Sequence, residues 1–321
     1  MPNYQGVWSL STQYQNTTGW PSPPPAIALF ACGYDGSFNS QQSVDYLNIN
    51  TEGNAANFGN YVFSLGQIGG NVSSTTRALC AGGTSPLRNI IAFVTFATTG
   101  NFSDFGDLLA VDHYVTGLSN STRGVWSGGE AGNSGSRTNV MQYVTIASTG
   151  NATDFGDLLD AISNQTSTGN STRGLIAGGH NASSTITNQI QYITIGSTGN
   201  ATDFGDLTQT TRLFGSLSSS TRSVFGGGYN GSAYTNVMSY VTISSTGNAT
   251  DFGDLSYNSG NAMGASNNTR GIFAGGRNAS DEVNSIEKIT IASTGNSSDF
   301  GDLTTPRNQG AGNSNAHGGL Q

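Results

Sequence analysis

Residues Gly150–Asp157 read GNATDFGD, and the next residue, Leu158, completes the phrase DFGDL. DFGDL recurs at Asp104–Leu108, Asp154–Leu158, Asp203–Leu207, Asp251–Leu255 and Asp299–Leu303, with a worn copy, NFGNY, at Asn57–Tyr61. Successive steps are 47, 50, 49, 48 and 48 residues. A fixed period of that length marks one supersecondary unit copied along the chain, and it outweighs the two-domain prior that 321 residues would carry.

Two further marks keep the same period. An Arg followed by four residues and a Gly pair runs from Arg77 to Gly83, Arg123 to Gly129, Arg173 to Gly179, Arg222 to Gly228 and Arg270 to Gly276, with IALFACG (Ile27–Gly33) as a degenerate first copy. Alternating stretches such as MQYVTI (Met141–Ile146) and MSYVTI (Met238–Ile243) show the period of two expected of strands. Each unit therefore reads as four short strands. Strand a is small and polar, b is the apolar run before the Gly pair, c alternates, and d is DFGDL. Gly, Asn and Ser turns separate them, because Gly and Asn accept positive φ and short polar side chains bond the local backbone.

Four strands at this period favour radial stacking over a linear solenoid. Residues 304–320 resemble the segment after each earlier strand d, supplying a strand a with no b, c or d. The copies begin near Ala26 with a strand b that lacks an a. Joining the two gives an all-β, six-bladed β-propeller with four-stranded blades. Its ring is closed by a C-terminal inner strand from residues 308–316 joining the N-terminal blade of residues 26–61. The domain reading is a segment 1–25 followed by a propeller 26–321.

The unit resembles the kelch repeat: GIFAGG (Gly271–Gly276), Phe300 to Leu303 and Arg307 match that pattern in order. Phe replaces the kelch Trp, and the Arg after DFGDL survives only as Arg212 and Arg307. The wording of the repeat, with SSTRGIFAGG-like strands and ITIASTGNATDFGDL, also resembles virion proteins of tailed phages, marine cyanophages especially. The leader elements YQGVW (Tyr4–Trp8) and Trp20-Pro21 belong to the same resemblance. It implies a structural protein of a tail, fibre or capsid appendage, located in the virion. Such a protein would meet other virion proteins and present the propeller to a host-surface glycan or protein. The alternative is a cellular carbohydrate- or protein-binding propeller.

Composition narrows the functions further. Charged residues are 9% of the chain and the formal charge is −8, with ten Arg and one Lys and no basic run, which argues against nucleic acid. No apolar stretch approaches the ~18 residues of a membrane span. Cys32 and Cys80 read as small buried hydrophobes, with a disulfide between neighbouring blades left open. His113, His180 and His317 do not recur and have no catalytic or metal partner at motif spacing, so no enzyme, cofactor or metal is expected. The repeated Asn-x-Ser/Thr sites, as at Asn151, Asn200 and Asn248, read as turn chemistry.

The recurring Asp and Arg suggest structural ion pairs. Arg123, Arg173, Arg222 and Arg270 are expected near Asp154, Asp203, Asp251 and Asp299. The a–b and c–d turns, on one face, repeat nearly unchanged, whereas the b–c loops on the other vary. Recognition tolerates variety on loops held by a rigid scaffold. The variable face therefore carries the candidate partner-binding residues Tyr34, Phe38, Arg88, Arg137, His180, Tyr229, Tyr234 and Arg277, with plain drift as the other reading. The leader holds a candidate anchor of Tyr4, Trp8, Tyr14 and Trp20 before the Pro-rich linker PSPPP (Pro21–Pro25). It either docks onto another subunit or folds back over the propeller.

Overall fold

The computed structural model of the chain describes residues 25–320, except residue 133 and the side chain of Asn71. Tyr4, Trp8, Tyr14 and Trp20, and with them the expected anchor, lie outside the described residues.

Among the described residues the chain forms six antiparallel four-stranded sheets, each in the order a-b-c-d. The third sheet is representative: Thr116–Ser119, Arg123–Ser127, Val140–Thr145 and Thr153–Asp157. The first sheet is built from both ends of the described chain. Its strands Ile27–Ala31, Gln41–Asn48 and Ala56–Leu65 are joined by Ala311–Ser314, with Leu29 opposite Asn313 and Ala31 opposite Ala311. The a strands, Gly- and Ser-rich, adjoin one another in succession, and that of the sixth sheet (Met263–Ser266) lies beside Ala311–Ser314. Small residues are required there because backbones meet directly: a Cβ on Gly117 would strike the carbonyl oxygen of Gly70.

The core lies between sheets. One cluster holds Leu79, Ile91 and Phe105 of the second sheet against Val115, Trp126 and Val144 of the third. Another joins Phe30, Leu47 and Ile49 of the first to Ile272, Phe300 and Leu303 of the sixth. The Phe of each DFGDL is buried, as Phe155 and Phe204 are, and each such ring contributes about 1.5–3 kcal/mol. Tyr of strand c meets it edge-on: Tyr143–Phe155 centroids are 5.9 Å apart and Tyr240–Phe252 also 5.9 Å.

A three-bond lock explains the repeated phrase. The amide of Gly199 donates to Phe155 O (2.8 Å), that of Ala201 to Asp157 O (2.8 Å), and that of Asp157 to Asn200 Oδ1 (3.0 Å). The GN of one sheet thus seals the DFGD of the preceding one. The arrangement recurs at every successive pair, including the sixth and first sheets, where Gly53 bonds Phe300 O, Ala55 bonds Asp302 O and Asp302 bonds Asn54 Oδ1. Groups on the outer strand that would otherwise face water acquire partners: the Phe155 and Asp157 carbonyls gain donors and the Asp157 amide gains an acceptor. The glycine of DFGDL is fixed by the same contact. Gly156 has φ +139°, and a Cβ on it would lie 2.5 Å from Gly199 O.

The expected Arg–Asp pairs do not form. Arg123, Arg173, Arg222 and Arg270 make no ion pair with Asp154, Asp203, Asp251 or Asp299 among the described residues. Register explains it. Arg123 lies opposite Thr145 and Asp154 opposite Gln142, three residues away on the intervening strand c. The Asp is also exposed at the sheet's outer edge, where water screens it. The guanidiniums instead reach a main-chain carbonyl just beyond strand c of the next sheet: Arg123 to Ile195 O (3.0 Å), Arg173 to Ile243 O (2.8 Å), Arg222 to Ile291 O (2.9 Å). On the way each covers the strand-c Tyr, with Arg173 4.5 Å from the Tyr192 centroid.

Candidate functional site

Strands a and c begin, and b and d end, on the face that carries the b–c loops, and there the a strands bend. Two residues before each a strand stands a non-glycine residue in the left-handed region: Gln67 (φ 52°), Tyr114 (57°), Asn164 (58°), Leu213 (59°), Asn261 (61°) and Gln309 (57°). Bulky side chains rarely accept that conformation. Part of the reason is visible in the backbone. Leu213 N donates to Asn164 O (2.9 Å), Asn261 N to Leu213 O (2.6 Å) and Gln309 N to Asn261 O (3.3 Å), so the bend stitches neighbouring sheets together. All six residues line one cavity of about 110 Å³.

Around it lie the variable loops, each tied to a neighbour. Arg137 and His180, from successive sheets, are joined by a 2.7 Å contact from Arg137 Nη2 to His180 Nδ1. Glu130 stands beside them, 3.7 Å from Arg137 Nε and 3.5 Å from His113 Nε2, and accepts from Ser163 Oγ at 2.9 Å. Burial, with the Arg137 and Arg212 charges adding to it, holds the His180 imidazole below its ordinary range, consistent with a neutral ring that accepts from Arg137. Burial lowers His113 as well, against the opposing pull of Glu130. It also pushes the Tyr114 hydroxyl up to about 12, so that this hydroxyl stays neutral and accepts from Gln67 Nε2.

The other expected residues are distributed around the same face. Arg277 pairs with Glu282 (3.3 Å) and lies 5.1 Å from the ring of Phe38, which is 64% exposed. Tyr229 and Tyr234 meet edge-on at 5.7 Å. The Tyr34 hydroxyl bonds Thr84 Oγ1 at 2.7 Å, and Arg88 covers Phe63 at 4.8 Å. The eight residues therefore form local pairs rather than one constellation. Sequence reasoning missed the cavity lining, namely Tyr114, Leu213 and the amides Gln67, Asn164, Asn261 and Gln309. Their common signal is positional, two residues before strand a.

The other ends of the a strands are covered differently. The segment after Ala311–Ser314 turns under the a strands and ends in a 3-10 turn, Gly318–Leu320. Gly319 N donates to His317 Nδ1 (3.0 Å), while His317 Nε2 faces Ser73 O and Ser119 Oγ at 3.4 Å. Gly318 packs against the Ser219 carbonyl so closely that no side chain fits.

Among the described residues no group of three or more His, Cys, Asp or Glu is placed to hold a metal ion. Among the described residues no helix is long and apolar enough to cross a membrane. Both cysteines are free and buried.

No family model matches the chain, and no curated protein does. Among solved structures, YjhT, a propeller-type fold, is similar over 77% of this chain and 86% of its own, with a TM-score of 0.64 and 9% sequence identity. At that identity the likeness shows the fold alone, an all-β, propeller-like arrangement.

Proposed function

We propose that the six sheets close into one six-bladed propeller, and that this propeller is a non-catalytic module whose variable face recognises a partner. In the fuller form of the proposal the chain is a structural protein of a phage virion, in a tail, fibre or capsid appendage. It would contact other virion proteins through its leader and a host-surface glycan or protein through the variable face. The resemblance of the repeat wording supports the virion assignment.

The observation that carries the recognition reading is the division of labour between the faces. The repeated elements are consumed by sheet-to-sheet bonds, as the Gly199, Ala201 and Asp157 amides are. The variable loops are held by those bonds yet keep donors and rings such as Phe38 at the surface. A rigid frame with differing loops is what recognition requires.

Mass spectrometry of purified particles tests the assignment to the virion, and the chain should be present at fixed stoichiometry. Its absence from particles would leave the cellular binding propeller. Recognition is tested by exchanging the loop His180–Asn188 for the Arg277–Asn284 loop. That exchange should abolish partner attachment while the melting temperature holds. Attachment that survives exchange of each b–c loop in turn would exclude this face.

A further inference from the structure

Arg137 ends a small hairpin, Glu130–Ala131 paired with Ser136–Arg137, in the b–c loop of the third sheet. His180 opens the b–c loop of the fourth sheet, where its backbone pairs with Ser163. The 2.7 Å contact from Arg137 Nη2 to His180 Nδ1 therefore ties the variable loops of two sheets. A guanidinium donates and cannot accept, so His180 Nδ1 is the acceptor. That fixes the ring as neutral, with its proton on Nε2.

The same guanidinium clasps the fourth sheet twice more. Its Nε donates to Ser163 Oγ (3.2 Å) and its Nη1 to Ser184 Oγ (3.4 Å). Ser163 Oγ in turn donates to Glu130 Oε1 (2.9 Å) and accepts from Asn164 Nδ2 (3.0 Å). Asn164 is one of the bent residues lining the cavity, so the clasp reaches the cavity mouth. While His180 is neutral, the charges of Arg137 and Glu130 balance.

A proton on Nδ1 undoes this arrangement. Two donors would face each other at 2.7 Å, and a second cation would stand beside the first with only Glu130 to offset both. The other charged and titratable neighbours do not relieve the conflict. Arg212 adds to the repulsion, while the Ser184 main-chain oxygen favours a proton on the ring without removing the Arg137 donor. His113 meets the cluster through Glu130, and a proton there would compete with Arg137 for that carboxylate. Asp112, opposite Ala131 in the same small sheet, carries a buried carboxyl raised to about 6.

We propose that His180 is a proton-operated latch, closing the variable loops of the third and fourth sheets together while neutral and releasing them in acid, so that partner attachment through this face weakens as the ring gains its proton. This rests on the recognition reading above and adds its regulation. The fold favours the neutral ring, so the latch is fully closed above the ordinary imidazole value of 6.5 and opens as pH falls below it.

The test is nuclear magnetic resonance of the full chain between pH 7.5 and 5, reading the His180 ring nitrogens and amide exchange, the latter corrected for its intrinsic pH dependence. At pH 7.5 the ring should carry its proton on Nε2 and none on Nδ1. As the ring titrates, protection of the Thr138 and Thr187 amides, which bond Gly129 O and Gly179 O, should fall at least tenfold, while that of Gly199 holds. Glutamine keeps an acceptor for Arg137 but takes up no proton, so His180→Gln should keep both amides protected at pH 5. His180→Ala should show at pH 7.5 the low protection of the parent in acid. The ring readout of the parent stands even where a variant fails to fold. A proton on Nδ1 at pH 7.5, protection unchanged while the ring titrates, or the same loss in His180→Gln, which would transfer the effect to Asp112 or His113, would each overturn the proposal. If protection ignores pH while loop exchange still abolishes attachment, the latch falls and the recognition reading stands. If the latch opens as expected while attachment is indifferent to every loop exchange, the recognition reading falls and the latch stands.

Discussion

The guanidinium of Arg270 donates to the carbonyl oxygen of Ile49, 2.8 Å away and 221 residues back along the chain. The same bond joins Arg222 to Ile291 and Arg173 to Ile243, each time one sheet to the next. A residue type that recurs for strand-level reasons thus works between strands of different sheets. The junction of the sixth and first sheets uses the same chemistry as the others.

Replacing Arg173 by Ala should lower unfolding free energy by about 1.5–3 kcal/mol, the range for a hydrogen bond from a charged donor. Asp154→Asn should stay within about 0.5 kcal/mol, because that side chain is exposed and has no ion pair among the described residues. Urea titration of the two variants separates carbonyl bonding from ion pairing; equal losses would restore the ion pair.

Asn200→Ala removes the acceptor of the Asp157 amide and should cost about 1 kcal/mol. Gly156→Ala should cost more, at least about 2 kcal/mol, since its Cβ would press the Gly199 carbonyl and its φ is positive. A neutral Gly156→Ala in thermal denaturation would mean that the sheets do not approach so closely.

These losses also show what a sequence can reveal. The period, the four strands and the pairing of Ala311–Ser314 with Ile27–Ala31 are readable, because apolar alternation and turn residues are local signals. The partner of Arg173 is not: a main-chain carbonyl has no residue type, so two recurring charges suggest each other instead. The Asn of GNAT reads as turn chemistry, and its acceptor role needs the neighbouring sheet. At the cavity mouth Gln67, Tyr114 and Leu213 share a backbone conformation but no chemistry, so no pattern of residue types marks them.

Acid should expose His317. Burial lowers its imidazole to about 4 from an ordinary 6.5, so the unfolded chain binds more protons between those values. Stability from this group is complete above pH 6.5 and is lost as pH falls toward 4. Asp112 acts oppositely. Burial raises its carboxyl to about 6, and its contribution declines as pH climbs from 4 to 6. Relative to the parent, His317→Asn should therefore gain stability as pH falls from 6.5 to 4, and Asp112→Asn as pH rises from 4 to 6. Urea midpoints measured from pH 4 to 7 test both signs.

Thiol reactivity should be nil in the native state. Cys32 and Cys80 are buried, and burial drives the Cys80 thiol up to about 12 and Cys32 well above its ordinary value. Thiolate, the reactive form, is thus scarce and shielded. Labelling with an aromatic disulfide should report no free thiol until denaturant is added and two afterwards. Prompt labelling of either residue would contradict the packing of the first two sheets.

Closure of the six sheets into one ring is the proposal on which the rest depends, and hydrogen exchange reads it at single amides. Gly100, Gly150, Gly199, Gly247 and Gly295 each donate to the Phe of the preceding sheet, and Gly53 donates to Phe300 across the meeting of the two chain ends. A closed ring predicts that the Gly53 amide is protected within about tenfold of the other five, since all open through the same cooperative unit. Free exchange at Gly53, with the other five protected, would mean an open arc.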